Sequence, residues 1–223
     1  METEVKLSFK DKDLLYGMAS ADFFRELCTD TSEPEPVLLE NTYIDTPDMN
    51  ITKRSGAIRV RHYKGNSVDK YEFTVKYGGG SANGLHKRLE WNVDSNDANF
   101  SIKRFIREAE GGKDPSDKLL EAFGRIKDEE LIVLCSNSFN RTIYNLSYKN
   151  SRIEACFDSG IIKSSDGSRT DEICELELEL IDGDVDSLNE LTRMIMEHTG
   201  CVPLDDTKYR RTLAMTLNGE TRK

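Results

Sequence analysis

The stretch Cys174-Glu-Leu-Glu-Leu-Glu-Leu180 decides how this chain of 223 residues folds. Acidic and apolar residues alternate strictly along it, which is the pattern of a β-strand with one buried face and one polar face. Glu175, Glu177 and Glu179 therefore lie on one face, about 6.5–7 Å apart. Three carboxylates in a row repel one another, and each raises the pKa of its neighbours. Either a divalent cation relieves this conflict, or the strand is an exposed acidic strand balanced by lysines on a neighbour.

Five further segments alternate in the same way and also collect charge on one face. Segment 2–9 places Glu2, Glu4 and Lys6 on the face opposite Thr3, Val5 and Leu7. The other charged faces belong to segments 58–63, 70–77, 86–93 and 152–158, and they carry Arg59, Arg61, Lys76, Arg88, Glu90, Glu154 and Asp158. Two more strands are predicted at 131–135 and 139–148. The chain thus reads as roughly eight strands of antiparallel type.

Helices are predicted between the strands, on the basis of apolar stripes and capping residues. They cover about 11–28, about 97–110, a segment that begins at Asp114-Pro115, and about 184–199. Clusters of Gly, Pro and Ser predict loops at 32–36, 78–84 and 164–168. The predicted fold class is therefore α+β, in one domain that spans residues 1–223.

The ordered charge of the strand faces favours a closed barrel over an open sheet. A face that meets only water usually mixes Ser, Thr, Lys and Glu with little order, whereas here one strand repeats arginine and another repeats glutamate. A closed sheet with its charges turned inward and helices packed outside explains both patterns. Such an interior needs charged contents, because buried charges are costly unless they are paired or bind an ion.

Composition excludes several classes of function. The chain has 41 acidic and 31 basic side chains and a net charge of −10, which argues against general binding of nucleic acid or of an anionic membrane. No segment approaches the roughly 20 apolar residues that cross a bilayer. The charged N-terminus predicts no secretory signal. Five scattered cysteines without a CxxC predict free thiols in a reducing cytoplasm, and they make zinc unexpected. The oligomeric state stays open.

Arginine and lysine on the inward faces suit a phosphate ligand. Arg59 and Arg61 place two planar guanidinium groups on one face, which is the geometry for bidentate contacts with phosphate. Lys76, Arg88 and Arg141 add cations from separate strands, although each taken alone is equally an ordinary surface charge. Carboxylates without neighbouring His or Cys suit Mg²⁺ or Mn²⁺.

These segments, in this order, resemble the CYTH domain of the triphosphate tunnel metalloenzymes. The opening Glu2-x-Glu4-x-Lys6 is similar to the ExExK signature of that family. Further matches follow in family order over nearly the whole chain: Tyr43-Ile-Asp45-Thr46-Pro47, Arg59-Val-Arg61, Phe73-Thr-Val-Lys76, Arg88-Leu-Glu90-Trp91, Arg141, the segment from Glu154 to Gly160, Glu175 to Glu179, and Thr207-Lys208-Tyr209. Residue 207 is threonine in this chain, whereas serine is common at that position in the family. Segments 84–93 and 173–184 are similar to the bacterial inorganic triphosphatase branch.

The resemblance implies an eight-stranded antiparallel β-barrel that forms a charged tunnel with helices outside. It also implies a cytoplasmic, divalent-metal-dependent enzyme that hydrolyses tripolyphosphate to pyrophosphate and phosphate. Thiamine triphosphatase, nucleoside triphosphatase, class IV-type adenylate cyclase and a non-catalytic polyphosphate-binding module remain as alternatives. A module that only binds polyphosphate needs the cations and no metal, so the full set of glutamates argues against that alternative.

The resemblance also implies a role for each site residue. Two Mg²⁺ or Mn²⁺ ions are expected, one on Glu2, Glu4, Glu177 and Glu179 and a second near Asp158, with Glu175 in the same acidic set. Residues expected to act in catalysis are Lys6, Arg59, Asp158 and Glu177. Residues expected to bind the phosphates are Lys6, Arg59, Arg61, Lys76, Arg88, Arg141 and Lys208. Glu90 and Glu154 are expected to orient these cations through salt bridges.

Overall fold

A computed structural model of the protein describes residues 1–30, 32–111, 113, 115–164 and 167–220, without the side chains of 218–220. Within these residues, eight antiparallel strands close into a barrel. The strands are β1 (Glu2–Ser8), β2 (Val37–Asp45), β3 (Gly56–Lys64), β4 (Asp69–Ala82), β5 (Leu85–Ser95), β6 (Ile132–Tyr148), β7 (Ser151–Lys163) and β8 (Thr170–Asp182). Their order is β5-β4-β3-β2-β6-β7-β8-β1, and pairing of β1 with β5 closes the ring. A short β9 (Val202–Pro203) pairs with the free end of β1.

The described helices are α1 (Lys12–Ala19), α2 (Asp22–Arg25), α3 (Ile102–Ala109), α4 (Asp117–Phe123), α5 (Val185–Thr199) and α6 (Lys208–Glu220). Short 3₁₀ turns cover Thr52–Arg54 and Asp128–Glu130. None of these helices has both the length and the apolar character needed to cross a membrane.

The alternation of each strand sorts side chains between the barrel interior and two outer cores. Val5 and Leu7 of β1 pack with Leu176 and Leu178 of β8 beneath α1, α2 and α5. On the other side, buried residues of β3 and β4 pack against buried residues of α3 and α4. The strands contribute Ile58, Phe73 and Val75, and the helices contribute Phe105, Leu119 and Phe123. Each such burial contributes about 1.5–3 kcal/mol, so the outer faces stabilise a barrel whose interior can hold charged groups.

Two of the predicted strands merge, and one strand was missed. The segments predicted at 131–135 and 139–148 form the single long strand β6. Strand β2 was not predicted because Val37-Leu-Leu at its start hides the alternation and its inward residues carry no charge. Those inward residues include Leu39, Asn41 and Tyr43, which pair in register with β6.

The loop predicted at 78–84 is mostly strand. β4 continues to Ala82, and its register with β5 shifts between Tyr77 and Gly80. A Cβ at Gly79 would lie 1.9 Å from the Lys87 carbonyl oxygen, so only glycine fits this bulge. The hairpin turn falls at Asn83 and Gly84, both with positive φ.

The predicted helices lie in the right parts of the sequence, but their first and last residues differ from those in the structure. The segment predicted at 11–28 breaks between α1 and α2, and the break turns Phe24 into the core against Tyr144 and Phe157. The helix expected from Asp114-Pro115 begins at Asp117, with the Ser116 hydroxyl accepting the Leu119 N–H; Asp114 lies outside the described residues.

Helix α6 was not predicted, and it covers part of the barrel interior. Its Thr212 hydroxyl accepts a hydrogen bond from inward-facing Asn137 at 2.7 Å. Met215 packs against the buried apolar cluster that contains inward-facing Leu39 and Phe139. The helix therefore delivers side chains from its first turns to the charged part of the interior.

Candidate active site

A cavity of about 250 Å³ lies inside the barrel, and charged side chains form most of its wall. The sequence-predicted residues that line it are Glu2, Glu4, Lys6, Arg59, Arg61, Lys76, Arg88, Arg141, Glu177, Glu179 and Lys208. Asp158 and Glu175 are fully buried behind this wall and bond to residues that line the cavity. The barrel thus brings the whole predicted set together.

The pairing of β1 with β8 builds the acidic side of the cavity. Glu4 lies opposite Glu179, and Lys6 lies opposite Glu177. The Lys6 ammonium donates to Glu4 at 2.9 Å and also forms a short contact with Glu177. Burial opposes the charge of Glu4, but Lys6 and further cations outweigh burial, and the pKa of Glu4 falls to about 2. Glu4 is therefore an ionised, paired carboxylate.

Glu179 has acidic neighbours and no cation of its own. Its strand partners are Glu4 on β1 and Glu154 on β7, and within the described residues it forms no ion pair. Burial, followed by the charges of Glu2 and the other nearby glutamates, raises the pKa of Glu179 to about 7. This corner of the cavity carries uncompensated negative charge.

Two cations from β4 and β5 border this corner. Arg88 donates to Glu2 at 3.1 Å and to Glu4 at 2.8 Å, and Lys76 donates to Glu2 at 2.9 Å. Lys76 also pairs with Glu90 at 2.6 Å, which is the orienting contact expected for Glu90. Burial nevertheless raises the pKa of Glu2 above its usual value.

Glu154 does not form the salt bridge that was expected of it. Its carboxylate accepts the Cys156 thiol at 3.3 Å, and no lysine or arginine of the described chain pairs with it. It therefore adds to the negative charge around Glu179 and does not orient a cation.

A second cluster of carboxylates, formed by three residues, already pairs with cations of the chain. Asp158, Glu175 and Glu177 offer oxygens within 4.8 Å of one another. The Lys208 ammonium reaches all three, at 2.8, 2.5 and 2.8 Å respectively. Arg141 adds a two-pronged contact to Asp158 at 2.7 and 2.6 Å, and Arg211 pairs with Glu175. These carboxylates therefore orient Lys208 and Arg141 toward the cavity.

Arg61 is a buried cation that lacks a carboxylate partner. It is 6% exposed, and its Nε–H donates to Asn41 Oδ1 at 2.8 Å. No ion pair involves it within the described chain, and burial, followed by the charges of Arg59 and Arg141, lowers its pKa. The neighbouring Arg59 donates to Thr74 at 2.8 Å, but its Nε is buried without a hydrogen-bond partner. This side of the cavity therefore carries uncompensated positive charge.

Sequence reasoning missed several contributors to the site, including Asn41, Glu72 and Arg211. Asn41, which orients Arg61, lies on the strand that was not predicted. Glu72 pairs with Arg59 at 3.3 Å, and it could have been found because it shares a strand face with Lys76. Arg211 lies on α6, one turn after Lys208, and only the helix would have revealed that spacing.

The motif Tyr43-Ile-Asp45-Thr46-Pro47 has a structural role. The buried Asp45 carboxylate accepts the backbone N–H groups of Thr46, Ile51 and Thr52, at 2.7, 2.9 and 2.9 Å. It fixes the 3₁₀ turn, whose Thr52 hydroxyl meets the Tyr209 hydroxyl at 2.5 Å.

Comparison with known proteins gives consistent matches. Residues 1–213 match the CYTH domain family. An inorganic triphosphatase of Haemophilus influenzae is 30% identical over 156 residues, which are 70% of this chain and 40% of that protein. The match thus spans well under half the length of this relative.

Solved structures show the same fold. A Hippeastrum protein, described as an adenylyl cyclase candidate with a dominant triphosphatase activity, superimposes with a TM-score of 0.66 at 16% identity, over 97% of each chain. A Bacillus halodurans protein, described as a candidate adenylate cyclase, gives a TM-score of 0.55 at 19% identity, over 95% of this chain and 96% of its own.

Proposed function

The chain belongs to the CYTH domain family, and from this premise we propose that it hydrolyses a linear triphosphate inside the barrel with the help of a divalent metal. The proposed substrate is inorganic tripolyphosphate and the products are pyrophosphate and phosphate, with residues 1–223 acting as one tunnel domain. One observation carries the proposal. Among the described residues Arg61 has no anionic partner and Glu179 has no cationic partner, and both line the same cavity, where a metal–triphosphate complex would supply both partners.

The donor set of the acidic corner fits a hard divalent cation. Glu2, Glu4 and Glu179 offer only carboxylate oxygens, which Mg²⁺ and Mn²⁺ prefer. The raised pKa of Glu179 also agrees with a carboxylate whose intended neighbour is a cation. In the proposal these three residues hold the ion, which would neutralise phosphate charge and activate water when it is bound.

Asp158, Glu175 and Glu177 act differently in this proposal. Their carboxylates already hold Lys208 and Arg141, so they support the phosphate clamp. A second ion near Asp158 stays a prediction, and counting the metal ions bound per chain by calorimetry tests it.

The cations of the cavity clamp the phosphates and stabilise charge that develops on them. Arg59, Arg61 and Arg141 form one group, and Lys6 and Lys208 join them from β1 and α6. In phosphoryl transfer most of the catalysis comes from such positioning and electrostatic stabilisation. Acidic and basic walls on opposite sides also orient the chain of phosphates between them.

The lining favours a substrate without a large organic group. Among the described lining residues the apolar surface comes from Ala57 and from Tyr43, Tyr63 and Tyr209. Tyr209 is already engaged, since its ring lies 4.7 Å from that of Tyr43 and its hydroxyl meets Thr52. This packing leaves Tyr63 and Ala57 as the apolar surface that a nucleobase or a thiazole ring could contact.

A substrate panel tests the proposal. Phosphate release is measured for tripolyphosphate, ATP and thiamine triphosphate, each with Mg²⁺ and with Mn²⁺. We expect the highest kcat/KM for tripolyphosphate. A higher kcat/KM for ATP or thiamine triphosphate would identify that compound as the substrate in place of tripolyphosphate. Formation of cyclic AMP from ATP would identify the protein as a cyclase. Binding of tripolyphosphate without turnover would identify it as a polyphosphate-binding module.

A further inference from the structure

The segment that leads into α6 is held by a group of backbone and side-chain hydrogen bonds at one edge of the cavity. The Lys6 N–H donates to the Gly84 carbonyl and the Leu204 N–H donates to the Lys6 carbonyl, both at 2.9 Å. His86 Nε2 donates to the Leu204 carbonyl at 3.0 Å. These bonds join β1, the β4–β5 hairpin and the start of the C-terminal segment.

Asp205 closes this group with its side chain. Its Oδ1 accepts the Gly84 N–H at 2.8 Å, and its backbone carbonyl accepts the Ser81 hydroxyl at 3.3 Å. We call the set Lys6, Ser81, Gly84, His86, Leu204 and Asp205 the clasp. Lys6, Ser81 and His86 belong to strands, and Gly84 and Leu204 take part through their backbone. The Asp205 carboxylate can therefore be removed by one substitution that leaves every strand of the clasp unaltered.

The geometry of the turn makes the clasp tight. Gly84 has a φ of +78°, and a Cβ there would lie 2.6 Å from the Lys6 carbonyl oxygen. The turn therefore presents its N–H to Asp205 at close range. A hydrogen bond from a backbone N–H to a carboxylate is stronger than one between neutral groups.

Lys208 follows Asp205 by three residues and begins α6. Its ammonium enters the cavity wall between Asp158, Glu175 and Glu177, and it lies 5.1 Å from the centre of the Phe139 ring. The position of its backbone depends on where the chain leaves the clasp. We propose that Asp205 is a positioning residue that fixes Lys208 for contact with the substrate phosphates. This inference rests on the proposed function.

The proposal predicts a specific kinetic signature. Lys208 contacts a substrate phosphate both before and during the reaction, so loosening it weakens uniform binding and raises KM more than it lowers kcat. We expect Asp205→Ala to raise KM for tripolyphosphate about tenfold, which is the scale of one hydrogen bond to a charged group. Asp205→Asn keeps an acceptor for the Gly84 N–H, and we expect it to stay within about twofold of wild type.

Asp206 provides the matched control. It lies one residue further on, is exposed, and makes no side-chain hydrogen bond or ion pair in the described part of the chain. Asp206→Ala removes the same charge from the same segment, and we expect it to leave KM unchanged. Equal effects of Asp205→Ala and Asp206→Ala would show that the lost charge matters and the clasp does not.

A double-mutant cycle with Lys208→Ala separates positioning from general stability. If Asp205 acts through Lys208, Asp205→Ala adds less than about twofold in the Lys208→Ala background. A further tenfold rise in KM there, or loss of function in Asp205→Asn as well, would overturn the proposal.

Hydrogen exchange followed by mass spectrometry gives a readout that needs no substrate. We expect peptides from residues 204–213 to exchange faster in Asp205→Ala than in wild type or Asp206→Ala. If the wild type hydrolyses no triphosphate, the proposed function fails while this experiment still tests the clasp. Unchanged exchange in Asp205→Ala would contradict the positioning role whatever the substrate is.

Discussion

Glu4 and Glu179 lie opposite each other on β1 and β8, yet their surroundings differ in charge. Glu4 contacts Lys6 and Arg88, and its pKa falls to about 2. Burial and the neighbouring glutamates instead raise the pKa of Glu179 to about 7. Glu4 is thus balanced by cations and Glu179 is not, and this asymmetry is the reason for including Glu179 in the proposed metal site.

Glu179→Gln should stabilise the metal-free protein in a pH-dependent way. The folded protein raises the pKa of Glu179 above its ordinary 4.5, so the stability linked to this group is fully present below pH 4.5 and is lost as pH rises through about 7. Glutamine mimics the neutral form at every pH. In EDTA we expect the variant to melt about 2–4 °C higher than wild type at pH 8, with a smaller gap at pH 5. A gap that is equal at both pH values would contradict the assigned surroundings of Glu179.

Removal of divalent metal should abolish turnover. Glu2, Glu4 and Glu179 are the ligands that we propose, and excess EDTA strips Mg²⁺ or Mn²⁺ from such a site. We expect phosphate release from tripolyphosphate to stop in EDTA and to return with Mg²⁺. Added Ca²⁺ should inhibit, because it prefers longer bonds and looser geometry. Full turnover in excess EDTA would show that hydrolysis needs no divalent metal.

Arg61→Ala should weaken substrate binding without harming the fold. Arg61 is buried, donates to Asn41 and lies over the rings of Tyr63 and Phe139, but it has no carboxylate partner among the described residues. Its removal therefore relieves an electrostatic cost in the ligand-free protein. We expect kcat/KM to fall at least about a hundredfold, and the melting temperature to hold or rise. Arg107→Ala is the control, since Arg107 is exposed on α3 and pairs with Glu108. Unchanged kcat/KM in both Arg61→Ala and Arg59→Ala would mean that the phosphates bind elsewhere.

Glu177→Gln and Lys6→Ala should separate turnover from binding. Glu177 contacts Lys6, Arg141 and Lys208, so Gln at this position loosens three cations but leaves them in the cavity. We expect Glu177→Gln to bind tripolyphosphate more weakly than wild type but far better than Lys6→Ala, which loses a cation. Hydrolysis by the Glu177→Gln variant should be nearly abolished, because the loosened cations no longer stabilise the charge that develops in the transition state. Calorimetric titration of each variant, beside phosphate release, measures both quantities. Hydrolysis by Glu177→Gln at nearly the wild-type rate would exclude Glu177 from the mechanism.

The sequence was informative wherever one strand carried both a charged and an apolar face. Glu2, Arg59 and Glu179 could be assigned to the barrel interior because their neighbours alternate with period two. The same reasoning failed for β2, whose inward residues Leu39 and Asn41 carry no charge. It also divided β6 into two strands, since Asn137 and Ser138 read as a break although they pair in register with β2.

Pairing between distant residues could not be read from the sequence. The resemblance placed Asp158 and Glu175 among the metal ligands, and the alternation gave no sign that Lys208 would occupy the space between them. That contact depends on α6 folding over the barrel interior, which is a tertiary arrangement. The expected salt bridge of Glu154 failed for a related reason, since its strand partner proved to be Glu179.

A crystal structure with Mn²⁺ and tripolyphosphate, in which the anomalous signal locates manganese, tests whether the acidic corner holds the metal and the arginines hold the phosphates. We expect manganese bonded to carboxylate oxygens of Glu2, Glu4 and Glu179, with phosphate oxygens within hydrogen-bond distance of Arg59 and Arg61. Manganese outside the barrel, or tripolyphosphate bound away from both arginines, would contradict the proposed site.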